Sequence, residues 1–308
     1  MRIFILLCVT ITVLSAAAHW ETRHYETTDN GFMDAAALDS MVGMLCGVRD
    51  NVGVILYKTT NGGETWQETN PWTIEQAMFC FALQFPDQNA GYMTAMGILM
   101  SLFPCGALYK TTDAGNTWTL NYGLTMSFLN LFWDDVFFID LNNGWLAGPN
   151  SDIRYTANGG AAWTIQTAPV QSSLKSIYFV NPSEGWIVGG DYDTITGQGT
   201  NGLILHTTDA GTNWTAQLSN APLQLWGVHF IDNINGWVCG YKDSTSPGVF
   251  LNTTDGGNNW TEIAAPSVSN GPYGLYAVDF PDPLIGFAAG GGNRSGWSGS
   301  YFGVFLKT

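Results

Sequence analysis

Residues 207–214 read TTDAGTNW, and the same pattern, Thr-x-Asp/Asn-x-Gly-x-x-Trp, stands without gaps at 59–66 (TTNGGETW), 111–118 (TTDAGNTW), 156–163 (TANGGAAW) and 253–260 (TTDGGNNW). Self-similarity at a fixed period is the signature of a repeat architecture. In each octet the acidic or amide side chain (Asn61, Asp113, Asn158, Asp209, Asp255) can accept backbone N–H groups of the turn it heads. The Gly supplies a positive φ, and the Trp (Trp66, Trp118, Trp163, Trp214, Trp260) folds back over the neighbouring strand.

A second motif precedes the octets at a looser distance: Gly43-MLCG, Gly91-YMTAMG, Gly144-WLAG, Gly185-WIVGG, Gly236-WVCG and, a sixth time, Gly286-FAAGG. Each repeat then divides into four short β patterns. Strand A is an apolar alternation such as 136–139 or 228–231, strand B is the Gly-Trp-x-x-Gly piece, strand C leads into the octet and strand D starts at its Trp. Four strands per period of about 48 residues match a propeller blade. The expected fold is an all-β, six-bladed propeller of four-stranded blades, with seven blades as the alternative. Residues 305–308 match the approach to an octet, and HWET from His19 resembles the end of one. A strand at 19–28 is therefore expected to complete the blade formed by 272–308, closing the ring without a free sheet edge.

The composition agrees with a turn-rich β protein. Of 308 residues, 11% are charged and 14% aromatic, with 37 Gly and 13 Trp, a balance foreign to disordered chains and to helical bundles. Lys and Arg number 10 against 25 Asp and Glu, so the clustered cations that neutralise phosphates are missing and nucleic acid is a poor partner. Residues 1–18 have the make-up of a signal peptide: Arg2, an apolar run from Ile3 to Leu14, and the small-residue end Ser15-Ala16-Ala17-Ala18. The reading is a leader removed before His19, a single domain over 19–308, secretion, no membrane insertion and a monomer.

The octets resemble the Asp-box, or BNR repeat, shared by sialidases, sortilin-type receptors, some plant-glucan hydrolases and the photosystem II assembly and stability factors. The upstream Gly-Trp-x-x-Gly makes the last of these the most similar. The resemblance implies a propeller in which the box is structural, and it leaves function to sites grafted onto the fold. The assembly factors usually have seven blades and an arginine-rich patch, whereas only Arg23, Arg49, Arg154 and Arg294 follow the leader here. Sialidases clamp their substrate with three arginines, and none of these four falls at an inner strand A.

Loop lengths locate a candidate site. From the strand B Gly to the box Thr the distance varies from 12 to 22 residues, whereas from the box Thr to the next strand B Gly it stays within 29 to 33. Variation on one face of a repeat array marks a binding surface. The long B–C connections carry Asp191, Tyr192, Asp193, Arg294, Trp297 and Tyr301, and the residues just before strand A add Trp133, Asp135, Trp226 and Tyr276. Aromatics mixed with carboxylates suit a protein or carbohydrate ligand, although Trp133, Trp226 and Tyr276 could equally pack between blades. The main reading is a non-catalytic binding module. A glycoside hydrolase, needing two carboxyls facing across a cleft, is the alternative, and a photosystem assembly-like factor is a third.

No catalytic residue, metal site or cofactor is expected: the four histidines are scattered, and no phosphate-cradling loop stands out. Cys80 and Cys105 fall on the same face of one blade and are expected to form a disulfide. Asn213, Asn252, Asn259 and Asn293 head sequons and are candidate glycosylation sites.

Overall fold

The computed structural model describes residues 30–49, 53–69, 77–99, 103–123, 132–269, 272–282, 284–293 and 301–307. They form six antiparallel sheets. The first holds β1 (Asn30–Ala37), β2 (Gly43–Arg49), β3 (Gly53–Thr59) and β4 (Gln67–Thr69), and the second β5 (Ala77–Gln84), β6 (Gly91–Leu99), β7 (Phe103–Thr111) and β8 (Thr119–Gly123). The third is β9 (Asp135–Phe138), β10 (Gly144–Ala147), β11 (Ile153–Thr156) and β12 (Thr164–Gln166). The fourth is β13 (Leu174–Phe179), β14 (Gly185–Asp193), β15 (Gln198–Thr207) and β16 (Thr215–Ala221), and the fifth β17 (Gln224–Phe230), β18 (Gly236–Tyr241), β19 (Val249–Thr253) and β20 (Thr261–Ala264). The sixth has three strands among the described residues: β21 (Gly274–Asp282), β22 (Ile285–Asn293) and β23 (Tyr301–Lys307). Strand order follows chain order in every sheet, so the chain is an all-β, six-bladed β-propeller. The expected closing strand at 19–28 lies outside the described residues, as does the leader. No helix among the described residues is long and apolar enough to cross a membrane.

The chain divides into two compact units, one of Met1–Gly144 with Thr156–Trp163 and the other of Trp145–Tyr155 with Thr164–Thr308. In the first, Met44, Cys46, Leu56, Cys80, Leu83, Met93, Tyr109 and Trp118 form one buried cluster. In the second, Trp186, Val188, Ile204, Leu225, Phe230, Val238 and Leu251 do the same.

The box turns explain the octet atom by atom. In the fourth blade the buried Thr207 hydroxyl donates to Asp209 Oδ1 (2.9 Å) and accepts from the N–H groups of Asp209 (3.3 Å) and Gly211 (2.9 Å). The Asp209 carboxylate in turn accepts Asn213 N–H (2.8 Å). Thr253, Asp255, Gly257 and Asn259 repeat this wiring, as do Thr59, Asn61, Gly63 and Thr65. Asn158 does so as well, because an amide oxygen accepts as a carboxylate oxygen does.

Five of the six strand B motifs have a partner that sequence reading passed over, a Phe six residues before the Gly; Ala37 takes that place in the first blade. Phe179 lies flat on Trp145 (centroids 3.6 Å apart) and edge-on to box Trp214 (6.0 Å). Phe230 does the same with Trp186 (3.5 Å) and Trp260 (6.0 Å), and Phe138 with Tyr92 (3.7 Å) and Trp163 (6.0 Å). Stacked and edge-to-face pairs of this kind add stability beyond the area they bury. The Phe also explains the glycine, since a Cβ on Gly185 would sit 2.5 Å from the Phe179 ring.

One expectation is corrected. The B–C connections are not loose loops: β6 pairs with β7 out to Leu99 opposite Phe103, and β14 with β15 out to Asp193 opposite Gln198. The extra residues continue the ladder, because pairing satisfies their backbone groups. Cys80 lies in β5, opposite Ala95, and Cys105 in β7, opposite Gly97, with β6 between the two strands.

Candidate functional site

The site builds up from a backbone irregularity that recurs at the start of strand A. In β13, β17 and β21 the register slips by one residue, between Leu174 and Ser176, Leu225 and Gly227, and Leu275 and Ala277. The extra residues are Lys175, Trp226 and Tyr276. A β-bulge re-aims the side chain of the residue it inserts, and these three occupy one repeat position in successive blades of the second unit. The Lys175 ammonium sits over the Trp226 ring, 5.0 Å from its centroid, and Trp226 meets Tyr276 edge-on at 5.4 Å and 85°. Tyr276 is 40% exposed.

A hairpin rises beside this row. β14 and β15 meet over a tight turn in which Asp193 accepts the Ile195 N–H (2.8 Å) and the Thr196 hydroxyl (2.7 Å). The Thr196 hydroxyl first, then the Ile195 N–H, holds the Asp193 carboxyl below the usual carboxylate range. Next to it Asp191 accepts from Ser173 N–H (3.3 Å) and from the Asn201 amide (3.0 Å). The hairpin leans on the fifth blade, where Gly199 N–H donates to Lys242 O (2.8 Å) and Tyr241 OH to Gly197 O (3.2 Å). Exposed Tyr192 packs against Tyr241 at 5.8 Å. Burial raises the Tyr241 and Tyr276 phenols above their ordinary range, Tyr192 adding to both, so the cluster offers neutral hydroxyls.

The structure brings Tyr192, Trp226 and Tyr276 of the expected residues into this region and places Asp191 and Asp193 at the base and tip of the hairpin. Trp133 lies elsewhere: it is fully buried against Tyr122 (5.6 Å). Asp135 caps its own strand through Val136 N–H (2.8 Å), and the carboxylate of Asp34, at the same repeat position in the first blade, does likewise for Ala35 N–H (2.8 Å). Arg294 and Trp297 lie outside the described residues, and Tyr301 opens β23 opposite Asn293. Of the sequons, the Asn213 and Asn259 amides donate to their box carboxylates at the exposed rim (2.7 Å each), whereas the Asn252 amide turns inward to Gly236 O (3.0 Å).

Lys175 also stands just before strand A in the sequence, but sequence reading missed a neighbouring strand A row in which the Tyr178 ring contacts His229 (4.8 Å) and His229 Nδ1 pairs with Asp279 Oδ1 (3.1 Å). The signal was present: Tyr178, His229 and Asp279 each stand directly before the conserved-spacing Phe. Arg49 is engaged with Glu68 (2.8 Å) and Arg154 with Asp152 (3.1 Å). Among the described residues no three His, Cys, Asp or Glu are grouped to hold a metal ion.

Comparison with known proteins agrees with this anatomy. Residues 124–227 match the family described as Photosynthesis system II assembly factor YCF48. Over 85 residues the chain is 39% identical to the Photosystem II assembly lipoprotein Ycf48 of Synechococcus sp. (strain CC9902), an alignment spanning 26% of this chain and 22% of that protein. Among solved structures, the GH74 enzyme of Niastella koreensis superposes with a TM-score of 0.64 at 15% identity, over 88% of this chain and 46% of that one. YCF48 from Cyanidioschyzon merolae gives 0.51 at 16% identity over 92% and 96%, and the GH93 α-L-arabinofuranosidase of Fusarium graminearum 0.58 at 12% over 89% and 91%. At such identities the structural likeness speaks for the fold alone. The chain is a six-bladed β-propeller that carries Asp-box (BNR) repeats, and over 124–227 it is similar to the photosystem II assembly factor family.

Proposed function

We propose that the chain is a non-catalytic binding module that takes an extended segment of a protein partner across the face carrying Lys175, Trp226, Tyr276 and Tyr192. The observation that carries this reading is the 85° angle between Trp226 and Tyr276. Coplanar rings would make a platform for sugar faces, but perpendicular rings make a notch that fits a proline or an aromatic side chain. The Tyr241 and Tyr276 hydroxyls, whose hydrogens go to Gly197 O and Gly291 O, leave oxygen lone pairs to accept peptide N–H groups, and aromatic anchors of this kind dominate protein interfaces. The hairpin acids are engaged in turn and backbone hydrogen bonds, and Asp193 is shifted away from the raised range a general acid needs. An assembly-factor role is the narrower form of this reading, favoured by the family match over 124–227, which includes Lys175, Tyr192 and Trp226. Export through the 1–18 leader belongs to the same proposal.

The test is an array of proline- and aromatic-containing peptides, with xyloglucan and arabinan oligosaccharides as contrasts, read by tryptophan fluorescence. Peptide binding that Trp226→Ala weakens by about tenfold or more, with an unchanged circular dichroism spectrum, supports the reading. With no peptide bound, cleavage of an oligosaccharide overturns it in favour of the glycoside hydrolase, and binding without cleavage overturns it in favour of a carbohydrate ligand.

A further inference from the structure

Two thiols meet at a blade junction in the first unit. Cys46 lies in the middle of β2, between Asp34 of β1 and Leu56 of β3, and Cys80 lies in β5. Both are fully buried in one apolar cluster. The Cys80 thiol donates to Gly47 O at 3.4 Å, which sets it against the residue next to Cys46. The junction is otherwise held by the Asp34 carboxylate, which accepts Leu83 N–H from β5 at 2.7 Å. Here the first two blades lack the stacked Trp found elsewhere, since Met44 stands at the position of Trp186, while Phe85 keeps the position of Phe230 and packs on the same cluster.

We propose that Cys46 and Cys80 form a disulfide that ties the first blade to the second when the chain folds in an oxidising compartment. The oxidant is a small-molecule or protein disulfide. The thiolate of one cysteine attacks it and releases one reduced thiol; the other cysteine then attacks the mixed disulfide and releases the second, so two electrons and two protons pass to the reagent. Burial raises the Cys46 thiol above its ordinary range and shields both sulfurs, so the exchange belongs to the folding chain, before the second blade closes over the first. Once made, the bond is out of reach of reductants in the folded protein.

The experiment refolds the chain in glutathione buffer and in dithiothreitol, followed by alkylation under denaturing conditions and non-reducing peptide mapping. A peptide pair linking Cys46 to Cys80 after oxidative refolding is the expected result. Alongside it, the oxidised protein should melt about 5 °C or more above the reduced one, a gap that vanishes in Cys46→Ala and in Cys80→Ala. Because oxidised and reduced wild type are compared directly, the test survives a variant that fails to fold. Full alkylation of both cysteines after oxidative refolding, or a link from Cys80 to Cys105, overturns the proposal.

Discussion

At one end of the fourth and fifth blades, Thr207, Asp209 and Gly211 repeat the hydrogen bonds of Thr253, Asp255 and Gly257 to within about 0.1 Å; at the other end of these blades, and of the sixth, the bulged residue changes from Lys175 to Trp226 to Tyr276. One repeat therefore builds both ends, but only one is held constant. Where the side chain closes a turn on itself, alternatives lose several hydrogen bonds at once. Where the backbone alone makes the irregularity, the side chain is free to vary, and a surface can be composed on it.

Trp186→Ala should break the constant part most severely, because the indole lies flat on Phe230 and is fully buried. A loss of about 3–5 kcal/mol in denaturant unfolding is expected. Next comes Thr207→Val, which keeps the volume but strips the acceptor from the Asp209 and Gly211 N–H groups. It should lose about 2 kcal/mol, and peptide binding by the folded fraction should not change. Trp226→Ala is the mirror image: it should weaken binding while lowering stability by less than about 1 kcal/mol, since the ring is only part-buried. Equal effects of Thr207→Val and Trp226→Ala on both readouts would erase the distinction between the two ends.

Much of the constant end was legible because it depends on residue identity at fixed spacing: the octets, the Gly-Trp-x-x-Gly pieces and the four-strand period all reappear in the sheets. The variable end was less so. A bulge is a property of register between two strands, and nothing at Lys175 in the sequence distinguishes it from an ordinary strand residue. Trp133 and Trp226 both precede strand A, yet one is core and the other forms the notch, because Trp133 lies three positions ahead of β9's second residue whereas Trp226 is the bulge itself. Hydrophobicity cannot separate those two placements.

Titration divides the molecule along related lines. Hydrogen bonds hold the turn carboxylates Asp113, Asp140, Asp232 and Asp255 below their ordinary range, even where burial opposes them. Their folded values lie below the unfolded ones, so the stability they contribute is present above about pH 4 and is lost as the pH falls through the folded values. Asp34 goes the other way. Burial raises it to about 7, against the backbone N–H groups of Leu83 and Ala35, so its contribution is full below about pH 4 and is lost as the pH rises through 7. Melting temperature should therefore fall between pH 5 and 8. Asp34→Ala, which installs the residue that Ala82 and Ala277 already provide at this repeat position, should flatten that slope and leave the acid limb intact.

The smallest effect tests how strictly the box turn is built. Its fourth residue takes a left-handed backbone in every copy: Gly62, Gly159 and Gly256 meet this without strain, but Ala114 and Ala210 sit at φ 57° and 61°. The conformation is held by what its carbonyl accepts. Ala210 O takes Trp145 Nε1–H (3.2 Å) and a Gln166 amide hydrogen (2.7 Å), and Gly256 O takes the same bond from Gln217 (2.7 Å). A left-handed Ala costs about 1–2 kcal/mol, while a Gly in the unfolded chain costs about 0.5–1 kcal/mol in entropy. Ala210→Gly should thus stabilise by about 0.5 kcal/mol, measured as a shift in denaturation midpoint with an unchanged slope. A destabilised variant would mean that the Ala210 methyl contributes packing that outweighs its strain, and the fourth position would then be more tightly specified than its alternation between Gly and Ala suggests.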